Sequence, residues 1–348
     1  MPIPSKQADK IKVSGVILVD KPEGMTSQQV VSKVKYLFKS PSHNSKKAGH
    51  TGTLDPMATG LLPICLGEAT KFSHYQLDAD KSYQATIFLG SQTDTGDAEG
   101  QIIETMLVPK FDTVELDRIA QQFSGKQQQI PPMYSALKKD GKKLYEYARA
   151  GIEVERPPRD ILIKDIELKP LDQDKIQLTV TCSKGTYVRV LGEDIAKAMG
   201  TLGHLTALRR IQVGKFDVDE AITLSELEAL PLDSRQAALM PVDACIDINA
   251  EMILTPEQCK RIHMGQRLNV FDQLTEDLRV YISNQVRGQL CEKKSHDINE
   301  KSDNTTSTQP LEHEVPVDIR LLNEQELFLG LGAVSLNGRL QPKKLIQR

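Results

Sequence analysis

The sequence lacks most of the signatures that would place it at once. No run of about 18 consecutive apolar residues occurs, which excludes a transmembrane helix. Residues 1–12 are polar and lysine-bearing with no apolar core behind them, so no secretory signal is expected. The five cysteines (Cys65, Cys182, Cys245, Cys259, Cys291) are odd in number, widely spread and form no Cys-x-x-Cys pair. That usage fits reduced thiols in a cytoplasmic protein better than disulfides or zinc ligands. There is no Gly-x-x-x-x-Gly-Lys-[Ser/Thr] loop, no His-Glu-x-x-His, no Gly-x-Gly-x-x-Gly and no Gly-x-Ser-x-Gly. Phosphate-loop, zinc-protease, dinucleotide and serine-hydrolase readings therefore lose their usual support, and neither a metal nor an organic cofactor is indicated.

What is present is a chain of 348 residues, 39% hydrophobic and 26% charged, with a formal net charge of −3. Those values suit a soluble globular protein with one large domain and a smaller one. The small net charge hides an asymmetry. Residues 1–50 hold nine lysines against Asp9, Asp20 and Glu23, and residues 126–160 hold eight basic side chains against five acidic ones. Residues 217–257 hold ten acidic side chains and only Arg235. Such segregation suits a surface facing a polyanion, with an acidic region turned elsewhere.

Residues 49–60, Gly-His-Thr-Gly-Thr-Leu-Asp-Pro-Met-Ala-Thr-Gly, are too rich in glycine and small residues for a helix or flat strand. They form a loop, yet the apolar residues 61–66 behind them read as a buried strand. Residue types alone favour an Asx-turn connection. A rigidly framed loop carrying one carboxylate, Asp55, and one imidazole, His50, is also a common place for chemistry.

Before this loop, residues 15–20 read as a buried strand. Residues 21–24 read as a turn, followed by a helix capped by Thr26 or Ser27, with Val30, Val31, Val34, Leu37 and Phe38 at helical spacing. After it, residues 68–75 suggest a short helix and residues 82–89 a strand. Residues 94–100 form an acidic loop, and residues 113–123 a helix with Val114, Leu116, Ile119, Ala120 and Phe123 inward. Residues 130–143 combine prolines, a glycine and four lysines into a protruding basic segment followed by a helix. Residues 160–168 and 175–182 are strands, a helix follows 185–189, and two strands lie near 205–211 and 214–218. Strands and helices do not alternate one to one, so the expected class is α+β, built on a mixed, largely antiparallel sheet. Residues 231–248 read as a connector. A smaller unit begins near Met252, with a helix over 256–263 and strands near 278–283 and 326–331. The polar residues 292–316 are expected to be a disordered insertion within it.

By elimination the chemistry falls to Asp55, with Tyr83, Arg189 and His50 as candidate partners. An arginine beside a buried aspartate favours the ionised form, which suits a nucleophile or electrostatic stabiliser.

Residues 49–60 resemble the active-site motif of TruB-family pseudouridine synthases. Four further segments resemble that family in the same order: Gly-Val-Ile-Leu-Val-Asp-Lys-Pro-Glu-Gly-Met-Thr-Ser at 15–27, Lys-Ser-Tyr at 81–83, Cys-Ser-Lys-Gly-Thr-Tyr-Val-Arg at 182–189 and Leu-Arg-Arg at 208–210. The resemblance spans about residues 15–218. It implies a mixed-sheet catalytic domain and the conversion of uridine to pseudouridine in the T-loop of tRNA (tRNA position 55), without a cofactor. It further implies that Asp55 is the essential aspartate, that Tyr83 stacks on the target base and takes part in proton transfer, and that Arg189 pairs with Asp55. His50 matches a residue holding the rearranged T-loop, and Leu208 an apolar residue packing at the site. Lys21 and Tyr187 are assigned to substrate binding.

The resemblance divides the chain into a catalytic domain over 1–250, with residues 1–12 disordered and a thumb-like RNA-gripping insertion at 126–152, and a small PUA-like RNA-binding β-barrel over 251–348. The expected partner is the tRNA T-arm, met by a cytoplasmic monomer with no membrane association. A guide-RNA-dependent synthase of the dyskerin type and a tRNA-folding chaperone with secondary catalysis are the competing functions. The thumb-like stretch and the lack of long basic tails favour the stand-alone enzyme.

Overall fold

The computed structural model describes residues 10–297 and 312–347. Two compact units are present, Met1–Cys245 and Ile246–Arg348. Among the described residues no helix is long and apolar enough to cross a membrane.

The first unit is organised by a ten-stranded mixed sheet. Its strands include β1 (Gly15–Lys21), β2 (Ala48–His50), β3 (Thr59–Leu66), β4 (Lys81–Leu89), β5 (Gly125–Gln129), β6 (Arg159–Asp172), β7 (Lys175–Cys182), β8 (Gly203–Val213) and β9 (Ile222–Thr223). Their order is β9-β1-β3-β8-β4-β7-β6-β5, with β2 on the flank of β3. β9 is parallel to β1 and β8 is parallel to β3, while the remaining pairs along that order are antiparallel. The strict alternation of Ile176, Leu178, Val180 and Cys182, all buried, explains why β7 sits inside the sheet. β3 is buried along nearly its whole length, as expected of a strand covered on both faces.

Two helices bring chemistry to the sheet. The first, Ser27–Leu37, is capped by Thr26 in a reciprocal capping box with Gln29 and buries Val30, Val31 and Val34. The second, Val188–Ala198, buries Val188, Leu191 and Ile195, and Arg189 in its first turn.

Several sequence expectations shift. Val114, expected inward, is 74% exposed, because helix Thr113–Gln122 turns Leu116, Ile119 and Ala120 to the core instead. The two strands expected over 205–218 are one long strand, β8, and a two-residue return at Phe216–Asp217. The stretch read as a connector carries a helix, Leu232–Ala237, and pairs Met240 with Val16 of β1. Ile11–Lys12, expected to be disordered, pair with His43–Asn44, while residues 1–9 lie outside the described residues. Residues 126–129, the start of the expected thumb, belong instead to Gly125–Gln129, an edge strand of the main sheet. The protruding part is a hairpin of Lys138–Lys139 and Lys142–Lys143, turned by Asp140 and Gly141 at positive φ, followed by helix Leu144–Arg149.

The second unit is a five-stranded sheet of PUA-like type. It runs β10-β12-β13-β14-β11, with β10 (Glu251–Leu254), β11 (Leu268–Asn269), β12 (Val317–Asn323), β13 (Phe328–Val334) and β14 (Arg339–Leu345). Helix Pro256–His263 has a capping box between Thr255 and Gln258 and proline in its first turn. The strand expected at 278–283 is instead the start of helix Glu276–Asp297. Leu278, Ile282 and Val286 form its buried stripe, while Val280 is half exposed. The disorder expected over 292–316 is corrected at both ends: residues 292–297 belong to that helix, and Glu312–Glu314 form a 3₁₀ turn. Residues 298–311 lie outside the described residues.

Candidate active site

The loop between β2 and β3 is held from behind by buried polar groups. Lys21, at the end of β1, is fully buried, and its Nζ donates to the carbonyls of Pro22 at 2.9 Å, Pro56 at 3.1 Å and Ala58 at 2.6 Å. Burial lowers its pKa to about 8, against the opposing pull of Asp55. Ser27 clips the loop to the start of its helix: its Oγ donates to the Leu54 carbonyl at 3.0 Å and accepts from the Leu54 amide at 2.8 Å. Gly60 has φ +100, and a Cβ there would stand 2.2 Å from the Arg210 carbonyl oxygen. Only glycine lets β3 approach β8 so closely.

Asp55 is thereby presented at the mouth of a cleft of about 540 Å³. Its side chain is 38% exposed, so it is not the buried carboxylate that the sequence suggested. Arg189 lies 3.0 Å from Asp55 Oδ2 through Nη2 and 3.3 Å from Asp97 Oδ2 through Nη1. The same guanidinium donates to the carbonyls of Thr95 and Tyr134, each at 2.7 Å. A planar fork whose two terminal nitrogens each meet two acceptors cannot rotate freely, so Arg189 fixes where the Asp55 carboxylate points. Its own position is set two residues earlier, at the N-cap of its helix. Gln129 of β5 accepts from the Tyr187 amide at 2.7 Å and donates to the Tyr187 carbonyl at 3.1 Å, pinning the helix start.

The remaining sequence candidates divide into two groups. His50 lines the cleft with Asp55. Its Nδ1 accepts from the Gly52 amide at 3.2 Å, and burial, followed by the Arg210 charge, lowers its pKa. The imidazole is thus held as a neutral ring whose Nε2 carries the proton. Tyr83 lies under the loop and is 9% exposed; burial raises its pKa, with Arg210 opposing and Asp55 adding to the rise. Leu208 is buried on β8 in register with Ala85 of β4. Burial also raises the pKa of the Tyr187 phenol. Asp55, His50 and Arg189 line the cleft itself, whereas Lys21, Tyr83, Tyr187 and Leu208 are not among the residues that line it.

Sequence reasoning missed Asp97, Ser27, Gln129 and Arg210. Asp97 lay in a stretch noted only as an acidic loop, and its side chain is 4% exposed against Arg189. Glu99 also lines the cleft, and burial together with Asp97 and Asp55 raises its pKa. Lys143, Tyr145 and Arg149 line the cleft as well, the two cations each 5.3 Å from the centroid of the Tyr145 ring. Carboxylates, cations and an aromatic ring lining one cleft suit a nucleoside unit within a polyanion.

Comparison with known proteins identifies relatives along the whole chain. Residues 40–188 match the family described as TruB family pseudouridylate synthase (N terminal domain). Residues 189–247 match the tRNA pseudouridylate synthase B C-terminal domain. The chain is 72% identical over 358 residues to tRNA pseudouridine synthase B of Psychrobacter cryohalolentis, with 100% of each chain covered. It is 46% identical over 283 residues to the protein of that name from Neisseria meningitidis serogroup B, covering 81% of this chain and 89% of that one. Among solved structures, the chain titled "Crystal Structure of a Cbf5-Nop10-Gar1 Complex" superposes with a TM-score of 0.57 at 20% identity, covering 96% of this chain and 84% of that one. At that identity the likeness is one of fold.

Proposed function

The chain belongs to the TruB family of tRNA pseudouridine synthases, and from that membership we propose that it modifies the uridine of the tRNA T-loop at tRNA position 55, with Asp55 as the catalytic carboxylate. It is an isomerase acting on uridine in tRNA. The single observation carrying the site assignment is the Asp55 carboxylate presented in an open cleft and oriented by Arg189, which is itself anchored on Asp97.

Isomerisation breaks the bond from C1′ to N1, turns the uracil and joins C1′ to C5, where a proton must then leave. Asp55 acts at the sugar–base junction, by attack at C1′, by addition to the base or by deprotonation at C2′. A uridine stacked in a folded loop has to be extruded first, at a cost of a few kcal/mol. Stacking on an aromatic ring returns about 1–3 kcal/mol; Tyr83 takes that role in this reading, and its phenol takes part in the proton transfer. His50, neutral and donating through Nε2, positions the loop RNA. The hairpin over 138–143 grips the RNA backbone, and the PUA-like unit adds a second RNA contact. The enzyme works as a cytoplasmic monomer without guide RNA or cofactor. Near-complete coverage by relatives named tRNA pseudouridine synthase B supports the stand-alone form over the guide-dependent one.

The test is incubation of the purified chain with an unmodified tRNA T-arm transcript, without guide RNA, followed by mapping of pseudouridine. Modification at the T-loop uridine is expected, and its undiminished persistence in Asp55→Asn would remove the catalytic assignment. Loss of modification with intact cellular tRNA folding in that variant would separate a chaperone role from the chemistry.

A further inference from the structure

The largest fully buried side chain in the first unit is a cation, Arg210, at 1% exposure. Burying a guanidinium is costly unless its donors are satisfied. Its position in the sheet shows what satisfies them. Arg210 lies on β8, whose neighbours are β3 on one side and β4 on the other, and it pairs in register with Gly60 across the first and Tyr83 across the second. Its Nε donates to the Leu61 carbonyl at 2.8 Å and its Nη2 to the Gly52 carbonyl at 3.2 Å. Cross-strand pairing sets the guanidinium beside the Tyr83 phenol, where its charge opposes the rise that burial causes in the phenol's pKa. One side chain therefore holds Gly52 at the start of the loop bearing Asp55 and Leu61 in the strand that follows it, and pairs across the sheet with Tyr83.

We propose that Arg210 is a positioning residue for the reaction, a single rigid fork that fixes the Asp55 loop and the Tyr83 phenol relative to one another. The proposal rests on the site assignment above. A guanidinium N–H can only donate, so the phenol beside it turns its oxygen lone pairs toward Arg210 and its own O–H away. The orientation of the Tyr83 proton is then set before substrate arrives. The Leu61 and Gly52 carbonyls fix the fork in turn, so displacement of the loop displaces the phenol as well. Lysine cannot reproduce this arrangement, because one ammonium on a flexible stem lacks the fork that reaches the Leu61 and Gly52 carbonyls through separate nitrogens.

The test uses the full chain and a T-arm transcript. In Arg210→Lys the single-turnover rate of pseudouridine formation at saturating transcript is expected to fall about 10²-fold, the scale for misplacing a catalytic group by about 1 Å. Transcript affinity and the folded fraction should stay at wild-type values. An unchanged rate, or a rate lost only in proportion to affinity or folded protein, overturns the proposal. A second measurement needs neither Arg210→Lys to fold nor any activity. In ¹⁵N-arginine spectra of the wild type and Tyr83→Phe, the resolved Arg210 guanidinium resonances should shift and exchange faster once the hydroxyl is removed. Unaltered resonances overturn the proposal even if the wild type is fully active. Failure of the wild type to modify the transcript would instead overturn the site assignment.

Discussion

Arg189 meets Asp55, Asp97 and two backbone carbonyls with one guanidinium, and this sharing decides what substitution does at the scale of single residues. Arg189→Lys keeps the charge but cannot hold both carboxylates in a plane, so the single-turnover rate should drop by about 10²-fold while transcript binding changes little. Retention of the full rate would mean that the fork does not orient Asp55. The buried lysines make a pH prediction. Burial lowers the pKa of Lys21 and of Lys81 to about 8, while the unfolded chain titrates near 10.5. Between those values the unfolded state binds more protons, so these two groups make stability rise with pH from about 8 to 10.5. Cys182, raised from 9.0 to about 11, and Tyr83 and Tyr187, raised from 10.0, act in the opposite sense over the upper part of that window and beyond it. The clean observable is therefore the difference between wild type and Lys81→Met in urea denaturation. It should move in favour of the wild type as pH rises through this window, by at most about 3 kcal/mol at about 1.36 kcal/mol per pKa unit. A difference independent of pH would contradict it. At this scale the sequence showed which residue types could do chemistry, and motif order assigned Asp55 and Arg189. It could not reveal Asp97 or Gln129, because nothing in an acidic loop or a glutamine run marks which side chain turns inward to meet an arginine.

Among elements, β3 and β8 show how backbone contact rather than side-chain pattern sets the active loop. Gly60→Ala places a Cβ 2.2 Å from the Arg210 carbonyl at φ +100. Strain and overlap of about 1–3 kcal/mol each should make the variant strongly destabilised, with a sharply lowered thermal midpoint. Gly185 is the control: its φ is +83, but no heavy atom lies within 4 Å of its Cβ position. Gly185→Asn should fold with a near-native midpoint, since asparagine tolerates the left-handed region. If both variants unfolded alike, close approach would not be the cause. Strand β7 and the helix over 256–263 were legible because each shows one period and a clear boundary: alternation in the first, a capping box and early proline in the second. The segment from Leu278 was not, because Leu278, Val280 and Ile282 satisfy a period of two while Leu278, Ile282 and Val286 satisfy a helix. Burial chooses the second set, leaving Val280 half exposed.

For the whole molecule, a net charge of −3 taken alone opposes a polyanionic partner. The described hairpin resolves this, because Lys138, Lys139 and Lys142 are all exposed on the segment that leads to the cleft-lining Lys143, Tyr145 and Arg149. Binding to RNA through such side chains releases counterions, so affinity for the transcript should fall steeply and log-linearly with salt. Replacing Lys138, Lys139 and Lys142 by alanine should flatten that slope by about 0.7–0.9 for each phosphate that is no longer neutralised. The three residues do not line the cleft. The rate at saturating transcript should therefore hold while the concentration needed to reach it rises. A slope unchanged in the triple variant would place the electrostatic grip elsewhere on the chain, whereas a lowered saturating rate would mean that the hairpin shapes the reacting site as well as holding the RNA.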